Sequence, residues 1–380
     1  MGLASRLKGV VDNLRAAATV RPVMVLQSDD WGRVGAPDPS AIERLREKGH
    51  PVGESAWDFY GLEDAADLHA LADVLRAVID NEGRRACMTA NFVMANPDLR
   101  RMVAEDFREF RAVAISEGFP APWAQAPLMA EYRRLVAEGI FYPGLHGFTH
   151  FSPEGMLRGW HDSGNFGARL RALVEEDVPY LASLTPEINF ALLDRSGPDE
   201  RFADRATQTQ WVNLGIDAFR AAFDRTPVTT CAPGYRCNDV TYEVWKDHGI
   251  RLVQTAGGRA IHRHHGLLVV ERNVRFEPHL DGPSSVASAL RRMAEVVECG
   301  FPVVVVTHSI NYVRRHRVGA DQSLRALSEF LEAALARFPG LRFAHDGDIL
   351  RAYETYDEDW LQSPTPAQVR RRSVLRPTLQ

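Results

Sequence analysis

The chain alternates short apolar runs with amphipathic stretches, and this alternation constrains its fold more than any other feature. Each run is apolar at consecutive positions, which is typical of strands buried on both faces of a parallel sheet or barrel. Such runs occupy residues 23–27, 86–93, 227–232, 251–255, 267–271 and 301–308. Strands that alternate with helices form βα units, so we expect an α/β fold, and specifically a distorted or incomplete (β/α) barrel.

The amphipathic stretches between these runs carry helix start and stop signals. Three of them cover residues 41–48, 284–300 and 323–340. Two longer stretches, 97–139 and 153–224, also look mainly helical, and we expect them to be insertions on either side of residues 141–151. Insertions at such places often form a wall or lid over a site, although packing alone would explain them equally well.

These patterns divide the chain into three parts. Residues 1–20 are expected to form an N-terminal amphipathic helix, residues 21–360 a single barrel domain, and residues 361–380 an Arg-rich tail. The polar face of the N-terminal helix is not strongly basic, which favours a helix that caps the domain over one that binds a membrane surface. The tail is interpreted as a frayed, solvated end.

The composition is that of an ordinary soluble globular protein, with 380 residues, 45% hydrophobic residues and a net charge of -5. Arginines and acids are interspersed along the chain, which argues against a nucleic-acid partner. We find no apolar run of the roughly 18 to 20 residues that would span a bilayer and no secretory signal. The four cysteines lack a CxxC spacing, so we expect reduced thiols and a cytoplasmic protein. No feature of the sequence indicates an oligomeric state.

Two adjacent acids, Asp29 and Asp30, follow the first apolar run directly. Loops at the carboxyl ends of parallel strands commonly hold the reactive groups of α/β proteins. One acid could simply cap a turn at this point. A second carboxylate beside it requires compensation by a cation, a cluster of donors or a proton.

His146 and His150 stand four residues apart in the segment HGFTH. If this segment makes a helical turn, both imidazoles face one point. Alone, the pair is described equally well as two packed or surface histidines. Together with an Asp from another strand end, it supplies two nitrogens and one carboxylate, a common ligand set for a hydrolytic divalent metal.

Polar groups follow two further runs. His308 ends the run 301–308, where it could be an edge residue or a general acid. A Pro-Gly pair breaks the run 227–232 and leaves Tyr235 and Arg236 in a loop. Backbone amides and an arginine there could face a developing oxyanion or orient a carboxylate, but a plain turn explains the loop nearly as well.

Two other clusters are candidates of lower specificity. Trp160 stands beside a histidine and an aspartate, and it could stack on a sugar ring or belong to the core. The segment 262–265 holds three histidines, His262, His264 and His265, and is a rival metal site. No nearby carboxylate in the sequence completes that set, which favours a solvated loop or strand edge.

In chain order, these strand ends resemble the motifs of the polysaccharide deacetylase (NodB-homology, carbohydrate esterase family 4) superfamily. Residues 27–30 (QSDD) resemble its TFDD motif, and residues 146–150 (HGFTH) resemble its H[ST]xxH motif. Residues 231–235 (CAPGY) are similar to RxPYG, and residues 306–308 (VTH) are similar to LxH. The chain therefore looks like a divergent member with the family's distorted barrel.

The resemblance implies a role for each matching position. One divalent metal, usually zinc, would be bound by Asp30, His146 and His150. Asp29 would be the general base, His308 would protonate the leaving group, and the backbone N–H of Tyr235 would hold the oxyanion. The metal would polarise the acetyl carbonyl and its bound water.

Three departures from the family pattern concern the supporting residues. Cys231 stands where the family has the arginine that orients the base, and Arg236 or Arg33 could substitute for it. Gly147 replaces the usual Ser or Thr, and the Asp-Trp motif that supports the catalytic histidine is not recognisable. Within residues 272–282, the candidates for that support are Glu277, His279 and Asp281.

The leading functional expectation is a metal-dependent hydrolase that removes an acetyl group from a polysaccharide, an oligosaccharide or a sugar precursor. One alternative is hydrolysis of a non-sugar C–N bond in a small metabolite, which the lack of a secretion signal favours. Another is a glycan-binding protein without activity, which the missing arginine and the missing Asp-Trp motif would explain.

Overall fold

A computed structural model of the chain describes residues 16–124, 128–195, 199–257, 261–314 and 319–375. The strands are β1 (Ala18–Thr19), β2 (Val23–Trp31), β3 (Met88–Phe92), β4 (Ala95–Pro97), β5 (Ala112–Ala114), β6 (Phe141–Leu145), β7 (Leu193–Asp194), β8 (Arg201–Phe202), β9 (Thr229–Cys231), β10 (Leu252–Ala256), β11 (Ile261–His264), β12 (Leu267–Arg272), β13 (Val274–Arg275), β14 (Val303–His308), β15 (Arg342–Ala344) and β16 (Leu361–Gln362).

The α-helices are α1 (Pro39–Glu47), α2 (Ala65–Ala77), α3 (Leu99–Ala104), α4 (Leu128–Ala137), α5 (Pro153–His161), α6 (Asn165–Glu175), α7 (Arg205–Phe223), α8 (Asp239–Asp247), α9 (Pro278–Asp281), α10 (Ser285–Glu298), α11 (Ala320–Arg337), α12 (Asp346–Thr355) and α13 (Pro366–Val374). No helix in these described ranges is long and apolar enough to cross a membrane.

Ten of the described strands form one sheet, with β15 paired to β2 beside the main path β11–β12–β10–β9–β6–β3–β2–β14–β13. Its neighbours are parallel except β11, which is antiparallel to β12. Asn273 joins β12 to β13, and its backbone N–H donates to Val304 O. Because β13 continues β12, the two ends of the sheet approach each other. The α/β fold with an incomplete barrel is confirmed.

The barrel strands have two differently filled faces, because alternate residues of a strand point to opposite sides. On β2, Met24 and Leu26 join the main core between the sheet and the surrounding helices. Val23 and Val25 instead join an apolar cluster inside the barrel. Farther along the strands, polar side chains occupy the interior: Gln27, Asp29, Gln254 and Arg272. The barrel interior therefore changes from apolar to polar towards the carboxyl ends of its strands.

All six apolar runs of the sequence lie at strands, namely β2, β3, β9, β10, β12 and β14. The regions 97–139 and 153–224 contain helices α3 to α7 together with the short strands β5, β7 and β8. The stretches around 284–300 and 323–340 form α10 and α11, which pack against each other.

Both chain ends differ from the expectation. Residues 1–15 lie outside the described part, but β1 is a strand paired with β16 and not the end of a helix. The tail after residue 360 forms β16 and α13, which begins with Pro366 behind a capping box. Arg372 is only 3% exposed and donates to the carbonyls of Cys299 (2.8 Å) and Ala16 (2.6 Å). These buried contacts dock the tail on the domain, so it is not a frayed end up to Leu375.

Candidate metal and catalytic site

The two adjacent acids lie near the carboxyl end of β2, and each is 3% exposed. The pairing of β2 with β3 shifts register between Ser28 and Trp31, and Asp30 has a φ of 71°. A left-handed backbone is uncommon for a residue other than glycine. This irregularity brings both carboxylates within 4.8 Å of His146 ligand atoms, although successive side chains of a regular strand face opposite ways.

His146 and His150 follow β6 and are buried. The segment is an irregular loop with Gly147 at a φ of 86°, so it does not make the helical turn that was one way to bring the pair together. The loop still aims both imidazoles at Asp30: its Oδ1 lies 3.5 Å from His146 Nε2 and 3.1 Å from His150 Nε2. Nδ1 of His146 lies 2.8 Å from the carbonyl oxygen of Cys231, which orients the ring.

The two oxygens of Asp30 have different surroundings. Oδ2 accepts a hydrogen bond from the Tyr60 hydroxyl at 2.5 Å and lies 3.3 Å from Nη1 of Arg33. Oδ1 is buried and has no hydrogen-bond partner among the described residues. Burial would raise the pKa of Asp30, but Arg33 and the two imidazoles outweigh it and hold the pKa well below its usual range. The carboxylate is therefore ionised.

These three side chains fit a divalent metal. Donors about 2.0–2.1 Å from a tetrahedral ion lie about 3.3 Å from one another. The separations of 3.5 and 3.1 Å around Oδ1 are close to that value. An unpartnered carboxylate oxygen facing two imidazole nitrogens is the part of the site that an ion such as zinc would complete.

Asp29 is held by Arg272, a residue of β12 that the sequence interpretation did not assign to the site. Nη1 and Nη2 of Arg272 each lie 2.6 Å from a different oxygen of Asp29, and the guanidinium is fully buried. Burial would raise the pKa of Asp29, but Arg272 outweighs it, so this pKa is also lowered and the carboxylate is ionised. Arg33 pairs with Asp30, so it does not fill the expected role of orienting the base.

Arg272 is itself fixed by neutral groups inside the barrel. It donates to Gln27 Oε1 at 2.9 Å, to Gln254 Oε1 at 2.7 Å and to the Tyr235 hydroxyl at 2.9 Å. Asn91 donates to Oδ1 of Asp29 at 2.8 Å. Because these hydrogen bonds form one connected network around Arg272 and Asp29, Asp29 has one well-defined orientation.

His308 ends β14 beside Asp29, with Nε2 3.9 Å from Oδ2 of that acid. Its Nδ1 lies 2.6 Å from Oε1 of Glu277, and the second oxygen of Glu277 accepts from Asn311 at 2.6 Å. Burial would lower the pKa of His308, but Glu277 outweighs it and the pKa is raised. Of the three residues considered as support for this histidine, Glu277 is therefore the one in contact with the ring.

The structure places three other expected site residues differently. The backbone N–H of Tyr235 donates to Ala232 O at 2.8 Å within a short 3-10 helix, so it is not free for an oxyanion. Arg236 is exposed, and its guanidinium lies 5.5 Å from the Phe190 ring. Trp160 does not line the cavity of the described residues at Asp30: it stacks on Phe107 at 4.3 Å and belongs to a separate hydrophobic cluster.

A cavity of about 270 Å³ opens over the site and includes Asp30, His150 and His308 in its wall. Its aromatic lining consists of Trp57, Tyr60, Tyr180 and Phe190. The Trp57 ring contacts His308 edge-on, with ring centroids 5.0 Å apart. A compact ligand in this cavity would contact aromatic side chains together with Asp30, His150 and His308.

No protein-family model matches the chain, and no curated protein does either. Among solved structures, the chain is similar to a "putative polysaccharide deacetylase" from Mycobacterium smegmatis, with 15% identity, 96% of this chain and 99% of that chain covered, and a TM-score of 0.45. It is similar to Puue allantoinase with 11% identity, 88% and 91% coverage, and a TM-score of 0.49. It is also similar to a family 4 carbohydrate esterase from Streptomyces lividans in complex with acetate, with 12% identity, 85% of this chain and 92% of that chain covered, and a TM-score of 0.37. Because these TM-scores are below 0.5, we base the proposed function on the site.

Proposed function

We propose that this chain is a metal-dependent hydrolase that removes an acetyl group from a carbohydrate. The observation that carries the proposal is the convergence of three groups in one place. The first is the ligand set of Asp30, His146 and His150, in which one oxygen of Asp30 has no hydrogen-bond partner among the described residues. The second is Asp29, which is ionised and paired with Arg272. The third is His308, which is paired with Glu277. A ligand set, a base and an acid close to one another are the parts that hydrolysis of an amide or ester needs.

The chemistry follows from the environments of the two titrating groups. A divalent metal at Asp30, His146 and His150 would supply polarisation of the acetyl carbonyl and of a water molecule. Asp29 would accept the proton of the attacking water, and Arg272 keeps this carboxylate ionised and aimed. His308 would donate a proton to the leaving nitrogen or oxygen, and Glu277 raises the pKa of its imidazole, which favours the charged form. Opposite pKa shifts of neighbouring groups are typical of acid and base pairs.

The cavity supports a small substrate or the end of a longer one. Its volume of about 270 Å³ is at the small end of ligand pockets, which commonly hold ~300–1,000 Å³. Aromatic walls suit the apolar face of a sugar ring. We therefore favour an acetylated monosaccharide unit, as in a sugar precursor or at a chain terminus, over an internal unit of a polymer.

The same cavity gives the second candidate function its support. A small cyclic or branched amide without a sugar ring would also fit about 270 Å³ beside Asp30 and the proposed acid His308. A glycan-binding role without activity has less support. It was motivated by a missing arginine and a missing support for the histidine, and Arg272 and Glu277 now stand at those two places.

The direct test measures acetate release from a panel of acetylated monosaccharides, nucleotide sugars and oligosaccharides, beside hydrolysis of small cyclic and branched amides followed by mass spectrometry. We expect acetate release from a member of the first group that depends on added divalent metal. Hydrolysis of a small amide without acetate release from any sugar would favour the second function. If the protein binds an acetylated sugar in the presence of metal but forms no product, the result would support the glycan-binding function.

Replacing His146 with Ala is expected to remove one equivalent of divalent metal per chain, because it deletes one of three ligands. Metal content after dialysis and elemental analysis checks this. His161→Ala is the matched control, since His161 is an exposed histidine on α5 outside the candidate clusters. Wild-type metal content in His146→Ala would rule out the proposed site.

Replacing Glu277 with Gln is expected to move the basic limb of the pH dependence of kcat/KM to lower pH. The acid must be protonated, so activity is lost as pH rises through the pKa of His308. Glu277 raises that pKa, and its neutral replacement lowers it. Asp281→Asn is the control, because Asp281 pairs with Arg275 at 2.9 Å. An unmoved basic limb would show that His308 is not the acid.

A further inference from the structure

A second cluster of metal-type ligands lies at the hairpin of β11 and β12. The sequence alone showed no carboxylate for these histidines, but the fold brings Asp239, the first residue of α8, to His264 and His265. We propose that Asp239, His264 and His265 bind a second divalent ion of the zinc type. None of these residues belongs to the site at Asp30. Imidazole nitrogens with one carboxylate favour zinc and its transition-metal neighbours over magnesium or calcium.

The separations of the ligand atoms suit one ion. Oδ1 of Asp239 lies 3.0 Å from Nε2 of His264 and 3.2 Å from Nε2 of His265. The three ligand atoms all lie within 4.8 Å of one another. Tetrahedral ligands of zinc lie about 3.3 Å apart, so only small side-chain movements are needed. Asp239 and His264 are exposed and His265 is partly exposed, which leaves room for water as the remaining ligand.

The backbone of the hairpin places both imidazoles on the cluster. His264 pairs with Leu267 at the end of the ladder, and the two residues between them have positive φ, 49° at His265 and 84° at Gly266. Two-residue turns with positive φ at both positions favour Asn, Asp or Gly at the first. A histidine there adopts an uncommon conformation, which is a reason to seek a function for its side chain.

Tyr242 of α8 packs against both imidazoles. Its ring is edge-on to His264 with centroids 4.6 Å apart and is stacked on His265 with centroids 6.1 Å apart. It stands on the same helix as Asp239, so one helix supplies both the carboxylate and the aromatic contact. Two rings that are already oriented lose less conformational freedom when they bind an ion.

A bound ion would tie the hairpin to the start of α8. The second strand of this hairpin, β12, ends in Arg272. The loop before α8 carries Tyr235, whose hydroxyl lies 2.9 Å from Nη1 of Arg272. The ion would therefore connect the two segments that hold Asp29 in place, and we assign it a structural role that stabilises the fold.

The test measures zinc binding in full-length chain without a polyhistidine tag, by equilibrium dialysis and by the melting temperature with added Zn²⁺. All variants carry His146→Ala, so the site at Asp30 contributes equally little to each. We expect His146→Ala alone to bind one Zn²⁺ and to melt at a higher temperature with it. Two further variants add either His264→Ala with His265→Ala or Asp239→Asn to this background. Each should weaken Zn²⁺ binding by more than ~10–100-fold, because that is the usual loss when a residue that only orients a metal ligand is replaced.

His262→Ala in the same background is the matched control, because His262 lies on the same hairpin outside the Asp239 cluster. It should bind Zn²⁺ and raise the melting temperature as His146→Ala does. Co²⁺ should give the intense visible absorption of a tetrahedral ion in the control and not in Asp239→Asn. Equal Zn²⁺ binding and equal stabilisation in all variants would overturn the second site, whatever the outcome for the site at Asp30.

Discussion

Replacing Asp29 with Asn is expected to lower kcat for acetate release by about 10²–10⁴-fold, the usual contribution of a general base, while the metal content stays at the wild-type level. Asn has nearly the shape of Asp but cannot take a proton from water. The proposed metal ligands, Asp30 and the two histidines of residues 146–150, are untouched by this change. Turnover and metal content measured on the same preparation check both parts.

Asp30→Asn is the matched control, because it makes the same chemical change at the neighbouring position. It should lower metal content as well as turnover, since Asp30 supplies the oxygen that faces both imidazoles. A kcat of Asp29→Asn within about twofold of wild type would exclude the base role. Loss of metal in Asp29→Asn alone would mean that the two acids have exchanged roles.

The candidate metal ligands and the candidate acid could be proposed from the sequence because their signals are local. Asp30 and His308 each stand at the end of an apolar run, and His146 and His150 share one short segment. Carboxyl ends of parallel strands meet at one edge of a barrel, so separate segments can be assigned to one site. The backbone of the His segment was left open by the sequence, and the structure brings the two imidazoles together through a loop with a positive φ at Gly147.

Arg272 escaped the sequence interpretation for a physical reason. It directly follows the run LLVVE, where an arginine is ordinarily a solvated residue at the edge of a strand. Its partner Asp29 is 243 positions away, and only the closing of the sheet brings β12 opposite β2. One signal in the sequence could have indicated its burial. Leu268, Val270 and Arg272 are every second residue of a strand and share one face, and the two apolar residues of that face are buried.

At the two chain ends, local sequence patterns predicted a structure that tertiary contacts override. Residues near position 18 have helical periodicity, but pairing with Leu361–Gln362 makes them a strand. The Arg-rich tail was interpreted as solvated from its charge. Arg372 instead bonds to two backbone carbonyls and lies 4.2 Å over the Phe301 ring. Tertiary contacts of this kind override composition because they satisfy the donors of a buried guanidinium.

Replacing Arg272 with Met is expected to lower the free energy of unfolding by about 3–5 kcal/mol, the usual cost of removing one member of a buried ion pair. Asp29 would remain buried without its cation, and Gln27 and Gln254 would each lose a hydrogen-bond donor. Urea unfolding followed by circular dichroism measures the loss. Turnover should fall as well, because the base would no longer be held in one orientation.

The double variant Asp29→Asn with Arg272→Met separates the ion pair from simple packing. It leaves no unpaired buried charge, so it should be more stable than Arg272→Met alone, and the two changes should not be additive. Arg272→Lys keeps the charge but cannot bond to both oxygens of Asp29, so we expect an intermediate loss. If the double variant loses the sum of the two single effects, Arg272 contributes through volume alone. In that case the orientation of Asp29 must come from Asn91, the other described side chain that bonds to it at normal hydrogen-bond distance.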